Sequence, residues 1–585
     1  MKEEIVNLTE DVSSSPLYNE DFAPIPKEKR TWGLVDMTAI WIGMAVCIPT
    51  YLLASYMMKA GLSWVEALVI IVLGNLIITV PMVLNGHAGV KYGVPFPVIG
   101  RAAFGTRGVH IASVVRGIVA CGWFGIQTWI GGLAIYAIWN ALTGSEATTG
   151  LDTGKFVGFA LFWLINVFFI IKGTESIKKL EKYSAPILIG IGVLLIVWGA
   201  VQAGSFTTVL KQSKQLGVPA AELFQADDQL FLRLNPIKDK DGVIKAKECR
   251  ITLPLADDKT YQTTWIPISG NIDSIPVDRF NKNTDMLAIT TDLNPLQIEF
   301  RAPHGDDYHT SSLLSVTINK AENQGFGQRI FTYLLWLTAM VGFWATMAIS
   351  IADITRFTPT QKNQVRGQFL GLPGTMALYS FVGIFVTCAA LINFGDVLIA
   401  DDAPWDPVSL LGKFESPVVV VIAQIFMLIA TLSTNIAANV IAPANAFSNI
   451  APKKISFRQG GIITAIIGIL IAPWWMMERI SELLLFVSSF LGPVLGILIA
   501  DYFSVRKKRM NLNHLFKVDG IYSYGRSGFN PAAMVALVVG VFTALLGLWI
   551  PGLEFLYNLS WFTGFAVAYL IYYLMMRKEG KRVVG

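Results

Sequence analysis

The chain has 585 residues, 53% hydrophobic and 15% charged, with a formal net charge of +5 and a mean hydropathy of +0.53. Soluble domains carry about 25% charged residues, whereas here nearly uncharged windows of roughly 20 residues, long enough to cross about 30 Å of hydrocarbon, recur along the chain. A soluble fold is excluded, a polytopic all-α membrane protein is expected, and the modest positive charge calls for no nucleic acid.

Residues 1–34 are polar and carry KEKR (27–30) ahead of the first apolar run. No cleavable signal is evident there, and the stretch reads as a cytoplasmic N-terminal segment. Hydropathy then predicts twelve spans, near 35–59, 64–85, 109–142, 156–172, 184–203, 329–353, 372–395, 418–445, 460–477, 481–503, 530–550 and 557–576. The third is long enough to tilt. Spans 1–5 (35–203) and 6–10 (329–505) form two blocks, followed by a loop and two further spans (506–576) and a tail (577–585).

Loop charges orient these spans. Lys91, Arg101 and Arg107 follow span 2; Lys172, Lys178, Lys179 and Lys182 follow span 4; Arg356, Lys362 and Arg366 follow span 6. Lys453, Lys454 and Arg458 follow span 8, and RKKR (506–509) follows span 10. The opposite loops are poor in Lys and Arg, and one is acidic, with Asp396, Asp401, Asp402, Asp406 and Glu415. The positive-inside rule puts both termini in the cytoplasm, and the lack of a targeting peptide points to a bacterial inner membrane.

Residues 204–328 break the pattern. Alternating runs such as CRITLPLA (249–256), TTWIPIS (263–269), LQIEFRA (296–302) and SLLSVTIN (312–319) lie between Asn, Asp, Gly and Pro. That is the pattern of short strands, and the topology makes 204–328 a small β-rich extracytoplasmic insertion. A disordered loop is the alternative.

Span 1 contains Gly43 and Pro49, and span 6 contains Gly342. Corresponding breaks in two halves mark inverted-repeat transporters with a midplane site; ordinary membrane Gly and Pro are the competing reading. In span 3, Trp123 and Gln127 share a helical face. Trp344 lies centrally in span 6, and Ser433, Thr434, Asn435, Asn439 and Asn445 punctuate span 8. Two indoles can stack on a flat ring, and amides such as Gln127 and Asn439 match a –CO–NH– edge. No central Lys, Arg, Asp or Glu is recognised as a counter-charge, so the expected ligand is neutral. Singly, each amide could instead bind helices together. The hydroxyls of Ser433 and Thr434 suit a hard cation held by oxygens, or back-bonding to their own helix.

The segments AIWIGMAV (39–46), NGHAGVKYGVPFPVIGRAAFG (85–105), GWFGIQTWIGG (122–132), VGFWATMAISIADITRF (341–357), LSTNIAAN (432–439) and LGPVLGILIADYFSVRK (491–507) together resemble the nucleobase:cation symporter-1 family, in its hydantoin, allantoin and nucleobase branch. GWFGIQTWIGG and IWIGMAV are similar to plant plastidic nucleobase transporters. NGHAGVKYGVPFPVI and the PIPKEKRTW lead-in are similar to bacterial allantoin permeases. The resemblance covers the chain except 204–328, for which the family offers no counterpart.

It implies a LeuT-type fold: ten core helices in a 5+5 inverted repeat, plus two. It implies ring stacking by Trp123 and Trp344 and hydrogen bonding by Gln127 and Asn439. Phe343 stands where the family often has glycine, and Cys47 stands at the family's polar position on span 1. The implied sodium site maps onto Gly43, Val46, Ala430, Ser433 and Thr434. For members that use protons instead, Asp353 is the candidate, although its place near the end of span 6 also suits a structural acid.

The function expected is cation-coupled uptake of a neutral planar heterocycle (uracil, a purine, allantoin or a hydantoin) by alternating access. No prosthetic cofactor is expected, only Na⁺ or H⁺ as coupling ion, with a monomer embedded in lipid. The alternative is a transporter-like sensor using 204–328 for recognition. An enzyme is disfavoured because the sequence displays no catalytic constellation. The four cysteines (Cys47, Cys121, Cys249, Cys388) form no CxxC pair, and the five histidines are scattered, so neither a disulfide framework nor a zinc site is expected.

Overall fold

The structure, a computed structural model, describes residues 5–145, 148, 150–226, 229–254, 260–268, 275–277, 295–317, 326–404, 406–525 and 527–578. Its first half comprises α1 (Leu34–Ala45), α2 (Ile48–Lys59), α3 (Trp64–Tyr92), short α4 (Phe96–Ile99) and α5 (Arg101–Phe104), then α6 (Val109–Thr143), α7 (Thr153–Lys172), α8 (Thr174–Gln202) and α9 (Phe206–Leu216). The second half has α10 (Phe326–Phe343), α11 (Ala345–Ser350), α12 (Ala352–Thr355), α13 (Gln361–Asn393), α14 (Pro407–Gly412), α15 (Pro417–Asn439), α16 (Ile441–Ile450), α17 (Phe457–Leu470), α18 (Pro473–Met476) and α19 (Ile480–Ile499). After these come α20 (Pro531–Leu545), α21 (Glu554–Asn558) and α22 (Ser560–Met576).

Every span expected from hydropathy falls on a helix or an interrupted pair of helices. By length and apolarity, eight helices among the described residues can cross a membrane, or nine if the bent pair α1–α2 is one span. The expected count of twelve also needs α10–α12 and the shorter α17 and α22.

Local chemistry sets the ends. Ser63 caps α3, its hydroxyl accepting from the Glu66 amide while the Glu66 carboxylate accepts from the Ser63 amide, a reciprocal capping box. Gly93, at φ +70, ends that helix in the left-handed region that glycine adopts at no steric cost.

The two breaks fall where no helical residue can continue the ladder. Val46 (ψ 79) and extended Cys47 (φ −140, ψ 158) separate α1 from α2, and the two axes bend by 55°. Pro49 sits in the first turn of α2, where its missing N–H leaves no bond unmade, so it starts a helix rather than breaking one. In span 6 the break is at Trp344 (φ −102, ψ 4), not at Gly342. That glycine serves a close helix contact: a Cβ there would lie 2.0 Å from Ser488 Oγ on α19.

The polar N-terminal segment is strapped across one end of the bundle. The Val6 and Ile25 amides donate to the Lys91 and Gly93 carbonyls, the Trp32 amide donates to Phe357, and Arg356 Nη1 donates to the Asp21 carbonyl at 2.7 Å.

Between α9 and α10 lies the β-unit. β1 (Ala221–Ala226), β2 (Gln229–Leu234) and β6 (Ile275–Pro276) make one antiparallel sheet in the order β1-β2-β6. β4 (Thr260–Gln262), β3 (Glu248–Pro254), β7 (Leu296–His304) and β8 (Asp307–Thr310) make the second, with β5 (Ile266–Pro267) on β3 and β9 (Leu314–Val316) on β7. Alternation works as expected: Cys249, Ile251 and Leu253 on β3 and Leu296, Ile298 and Phe300 on β7 are buried, while Arg250 and Glu299 pair on the opposite face.

Two differences from the sequence reading matter. Residues 204–328 are not all strand: α9 opens the segment and stacks Phe206 on Phe385 of α13 (4.6 Å). Of TTWIPIS only 266–267 are strand; of the longer runs, 255–256, 269 and 318–319 lie outside the described residues. Nor is the β core self-contained, because Leu398 and Ile399, from the loop joining α13 to α14, complete it. The Ile237 amide donates to Leu398 O (2.8 Å), Lys245 Nζ to Phe394 O (2.8 Å), and the Ser312 amide to Asp402 Oδ1 (2.9 Å). Burial against that loop pushes the Lys245 ammonium down to about 8, a shift that Asp396 and Asp239 oppose.

Candidate functional site

The helix breaks meet α6 and α15 around one small cavity. Cys47, Trp123, Gln127, Phe343, Trp344 and Asn439 all line it, with Thr434 at its edge. All six residues named from the sequence as substrate-binding candidates are therefore brought together. Trp123 and Trp344 are buried, at 9% and 3% exposure, rather than turned toward lipid.

The arrangement of the rings differs from a ready-made sandwich. Phe343 stands edge-on to Trp123 (5.3 Å, 78°) and to Trp344 (5.1 Å, 89°), and Trp344 is edge-on to Trp41 of α1 (5.4 Å, 80°). These are favourable aromatic geometries, and they fill the space. The cavity volume is ≈ 30 Å³, room for about two waters. Phe343 touches both indoles, so a ring stacking on either must share the space with it. Gln127 Oε1 and Trp344 Nε1 are buried with no hydrogen-bond partner among the described residues, so an acceptor and a donor stand ready at the cavity wall.

Asn439 is held from behind. Its Nδ2 donates to Asn435 Oδ1 (3.1 Å), and Asn435 Nδ2 in turn donates to Asn166 Oδ1 (3.0 Å) and Thr128 Oγ1 (3.2 Å). A three-amide relay across α15 and α7 thus uses one of the two Asn439 N–H donors inside the protein. Asn166 escaped the sequence reading; its signal is a lone amide in the otherwise apolar α7.

The cation candidates gather on the other side of Thr434. Thr434 Oγ1 donates to Gly43 O (3.0 Å) and lies 3.4 Å from Met44 O, both on α1 just before the break. Ser433 Oγ meets Ser184 Oγ of α8 at 3.1 Å. Val46 is the residue at which α1 ends, and Ala430 lies one turn before Thr434 on the buried face of α15. The donor set is hydroxyl and carbonyl oxygen, which suits a hard cation. Among the described residues no group of three or more His, Cys, Asp or Glu could hold a metal, and all four cysteines are free and buried.

A charge does lie inside the bundle, away from the cavity: Arg116, about two turns before Trp123 on α6, is fully buried. Asp353 on α12 is also buried, its Oδ1 accepting from the Phe96 amide (2.8 Å). Neither lines the cavity, so the lining itself stays uncharged.

Beyond Cys47, a roomier cavity of ≈ 430 Å³ runs past Ile48, Ile130, Tyr136 and Asn140 to Asp406 and Ser409 at α14. It forms a vestibule beside the closed site.

Solved structures share this architecture. A structure of Mhp1, a nucleobase-cation-symport-1 family transporter in a closed conformation with bromovinylhydantoin bound, superimposes with a TM-score of 0.66 at 22% identity, covering 97% of each chain. A Na⁺-coupled sialic acid symporter matches with a TM-score of 0.52 at 11% identity, over 95% of this chain and 91% of the other. The fold is the LeuT-type inverted repeat of secondary transporters, carrying an added β-unit. A family model described as "Permease for cytosine/purines, uracil, thiamine, allantoin" matches residues 24–227 and 308–564. An allantoin permease of Bacillus subtilis (strain 168) is 30% identical over 574 residues, covering 96% of this chain and 94% of the relative. A purine-uracil permease of Arabidopsis thaliana is 30% identical over 587 residues, covering 97% and 79%. The chain belongs to this permease family of nucleobase:cation symporters. It is an integral, multi-pass membrane transporter and not an enzyme, and the sensor alternative finds no support in these relatives. The stretch that the family model passes over, 228–307, lies within the β-unit.

Proposed function

We propose that the protein takes up a neutral, planar, carbonyl-bearing heterocycle (uracil or a purine, allantoin or a hydantoin) in symport with Na⁺. The observation that carries this reading is the convergence of two indoles, an aromatic plug and two amides on one cavity at the junction of two interrupted helices. Trp123 and Trp344 stack on the ring after Phe343 swings aside, while Gln127 and Asn439 read its edge. Na⁺ is held by Gly43, Val46 and Ala430 carbonyls and the Ser433 and Thr434 hydroxyls. Because Thr434 belongs to both the cavity and the break in α1–α2, ion and ring each favour the conformation the other needs, and the coupling is reciprocal. One helix block then rocks against the other around the fixed site.

The Lys/Arg bias of the loops supports cytoplasmic termini and an extracytoplasmic β-unit, in a protein acting as a monomer in a bacterial inner membrane. Radiolabelled uracil, allantoin and hydantoin should accumulate in proteoliposomes under an inward Na⁺ gradient, and dissipating that gradient should abolish accumulation. Accumulation driven equally well by a proton gradient without Na⁺ would replace the ion in this reading; no accumulation of any ring would remove the reading itself.

A further inference from the structure

Behind the central cavity, on the side where α11, α12 and α16 run, lies a second set of polar side chains at one level of the bundle. Arg116 comes from α6, Ser350 and Asp353 from α11 and α12, and Asn445 and Ser448 from α16, all buried to within 1% of full burial. Arg116 Nε donates to Thr346 O (3.2 Å) and Ser350 Oγ (3.0 Å), and its Nη2 donates to Ala438 O (3.3 Å). Thr346 and Ala438 are also walls of the central cavity. The two sets of groups are therefore separated only by the backbone that Arg116 grips.

This second set has hydrogen-bonding capacity that the protein does not use. Arg116 Nη1, Asn445 Nδ2 and Oδ1, Asp353 Oδ2 and Ser448 Oγ are all buried without a partner among the described residues. A single orphan is tolerable in a native interior, but a concentration of them needs an explanation. Donors (Nη1, Nδ2) and acceptors (Oδ1, Oδ2) stand side by side, with α12 packed on α16. That complements a ring amide edge, and it is the same chemistry that the Gln127 and Asn439 amides offer in the central cavity. The unused Arg116 Nη1 and Asn445 Nδ2 donors suit a solute carrying carbonyl oxygens.

Arg116 also bridges elements that alternating access must separate. It stands on α6 and holds α11, the segment following the second break. When α11 moves away, its Nε donor is released into the path along which a solute leaves. We infer that Arg116 and Asn445 form a second, inner station that receives the carbonyl groups of the heterocycle after it leaves the indole cavity. The inference rests on the transport reading above.

The test separates binding from throughput. Asn445→Leu removes an amide that lies beside the buried Asp353 carboxyl, so a purely structural role predicts a lower thermal midpoint with binding and rate falling together. The station predicts that the maximum uptake rate of uracil or hydantoin falls at least fivefold, while equilibrium binding to purified protein stays within threefold and the thermal midpoint does not drop. Arg116→Gln also loosens the grip on Thr346 and Ala438 at the cavity wall, so it should weaken binding as well, with a loss of rate at least tenfold beyond that weakening, and Arg116→Lys should recover part of both. Full-rate uptake in Asn445→Leu would overturn the station and leave the central site untouched, as would binding and rate falling by the same factor in both variants. If wild-type protein accumulates no ring at all, the transport reading has failed rather than the station.

Discussion

The two interrupted helices occupy corresponding places in the two halves, yet the backbone beside each break is held differently. At the α1–α2 break the carbonyls of Gly43 and Met44 are met by one hydroxyl, Thr434 Oγ1, at 3.0 and 3.4 Å. Past the α10–α11 break it is the short helix α11 itself that is gripped: Thr346 O by the charged Arg116 guanidinium, and the Ala348 and Ile349 carbonyls at its C-terminal end by Asn85 Nδ2 at 2.8 and 2.7 Å. Hydrogen bonds from charged donors are roughly twice as strong as neutral ones. A break held by a single neutral hydroxyl can give up its carbonyls to an incoming ion at small cost. A break held by a guanidinium and a carboxamide keeps its shape and presents Trp344 at a fixed place. Under the proposed function, the first break is the one that would exchange partners with an ion, and the second would hold Trp344 still while a ring is bound.

That contrast fails most visibly at Trp344. Stacking of a base on an aromatic side chain is worth about 1–3 kcal/mol by alanine substitution, so Trp344→Ala should weaken equilibrium binding of uracil or hydantoin by roughly 10–100-fold. Calorimetric titration of the purified protein reads this directly, and unchanged affinity would deny the second break its role as platform. At the first break, Thr434→Val should erase the gain in ring affinity that Na⁺ provides. A loss of about tenfold, ~1.4 kcal/mol, is expected in saturating Na⁺, with none in its absence and with Thr434→Ser near wild type. Equal loss with and without Na⁺ would make Thr434 a ring contact only. The remaining effects should appear in stability. Asn85→Leu strands two buried carbonyls and should cost about 1–3 kcal/mol, lowering the thermal midpoint of the detergent-solubilised protein. Thr50→Val, which removes only the contact to Cys47 Sγ at 3.2 Å and a weak one to Met376, should change it by no more than about 0.5 kcal/mol. Equal shifts in the two variants would erase the distinction between the breaks.

Much of this was legible in the sequence because lipid imposes few solutions. Length and apolarity located the spans, and amides or indoles stranded in apolar runs located Trp123, Gln127, Trp344 and Asn439. What hydropathy does not encode is depth and partner. Pro49 looked like a helix breaker but opens α2. Gly342 looked like the hinge, yet its missing side chain admits Ser488. Arg116 stood in plain view in SVVRGIVACGW but was passed over, because its carbonyl partners, Thr346 and Ala438, lie more than two hundred residues away. Phe343 was recognised as a departure from the family pattern, but only coordinates show it standing edge-on to both indoles. In the β-unit, period-two alternation gave β3 and β7 correctly, whereas nothing local to Leu398 or Ile399 announces that they belong to another element's core.

Those two residues have a wider consequence. The loop that carries them leads through Asp402 to α14, which borders the vestibule together with Ile48. The β-unit and the vestibule rim are therefore one mechanical body. Excising 228–307 along the family boundary would leave Leu398 and Ile399 bare to solvent beside the entrance. The unit is tied to the permease by shared apolar burial, and its removal would have to be accompanied by rewriting the loop it shelters.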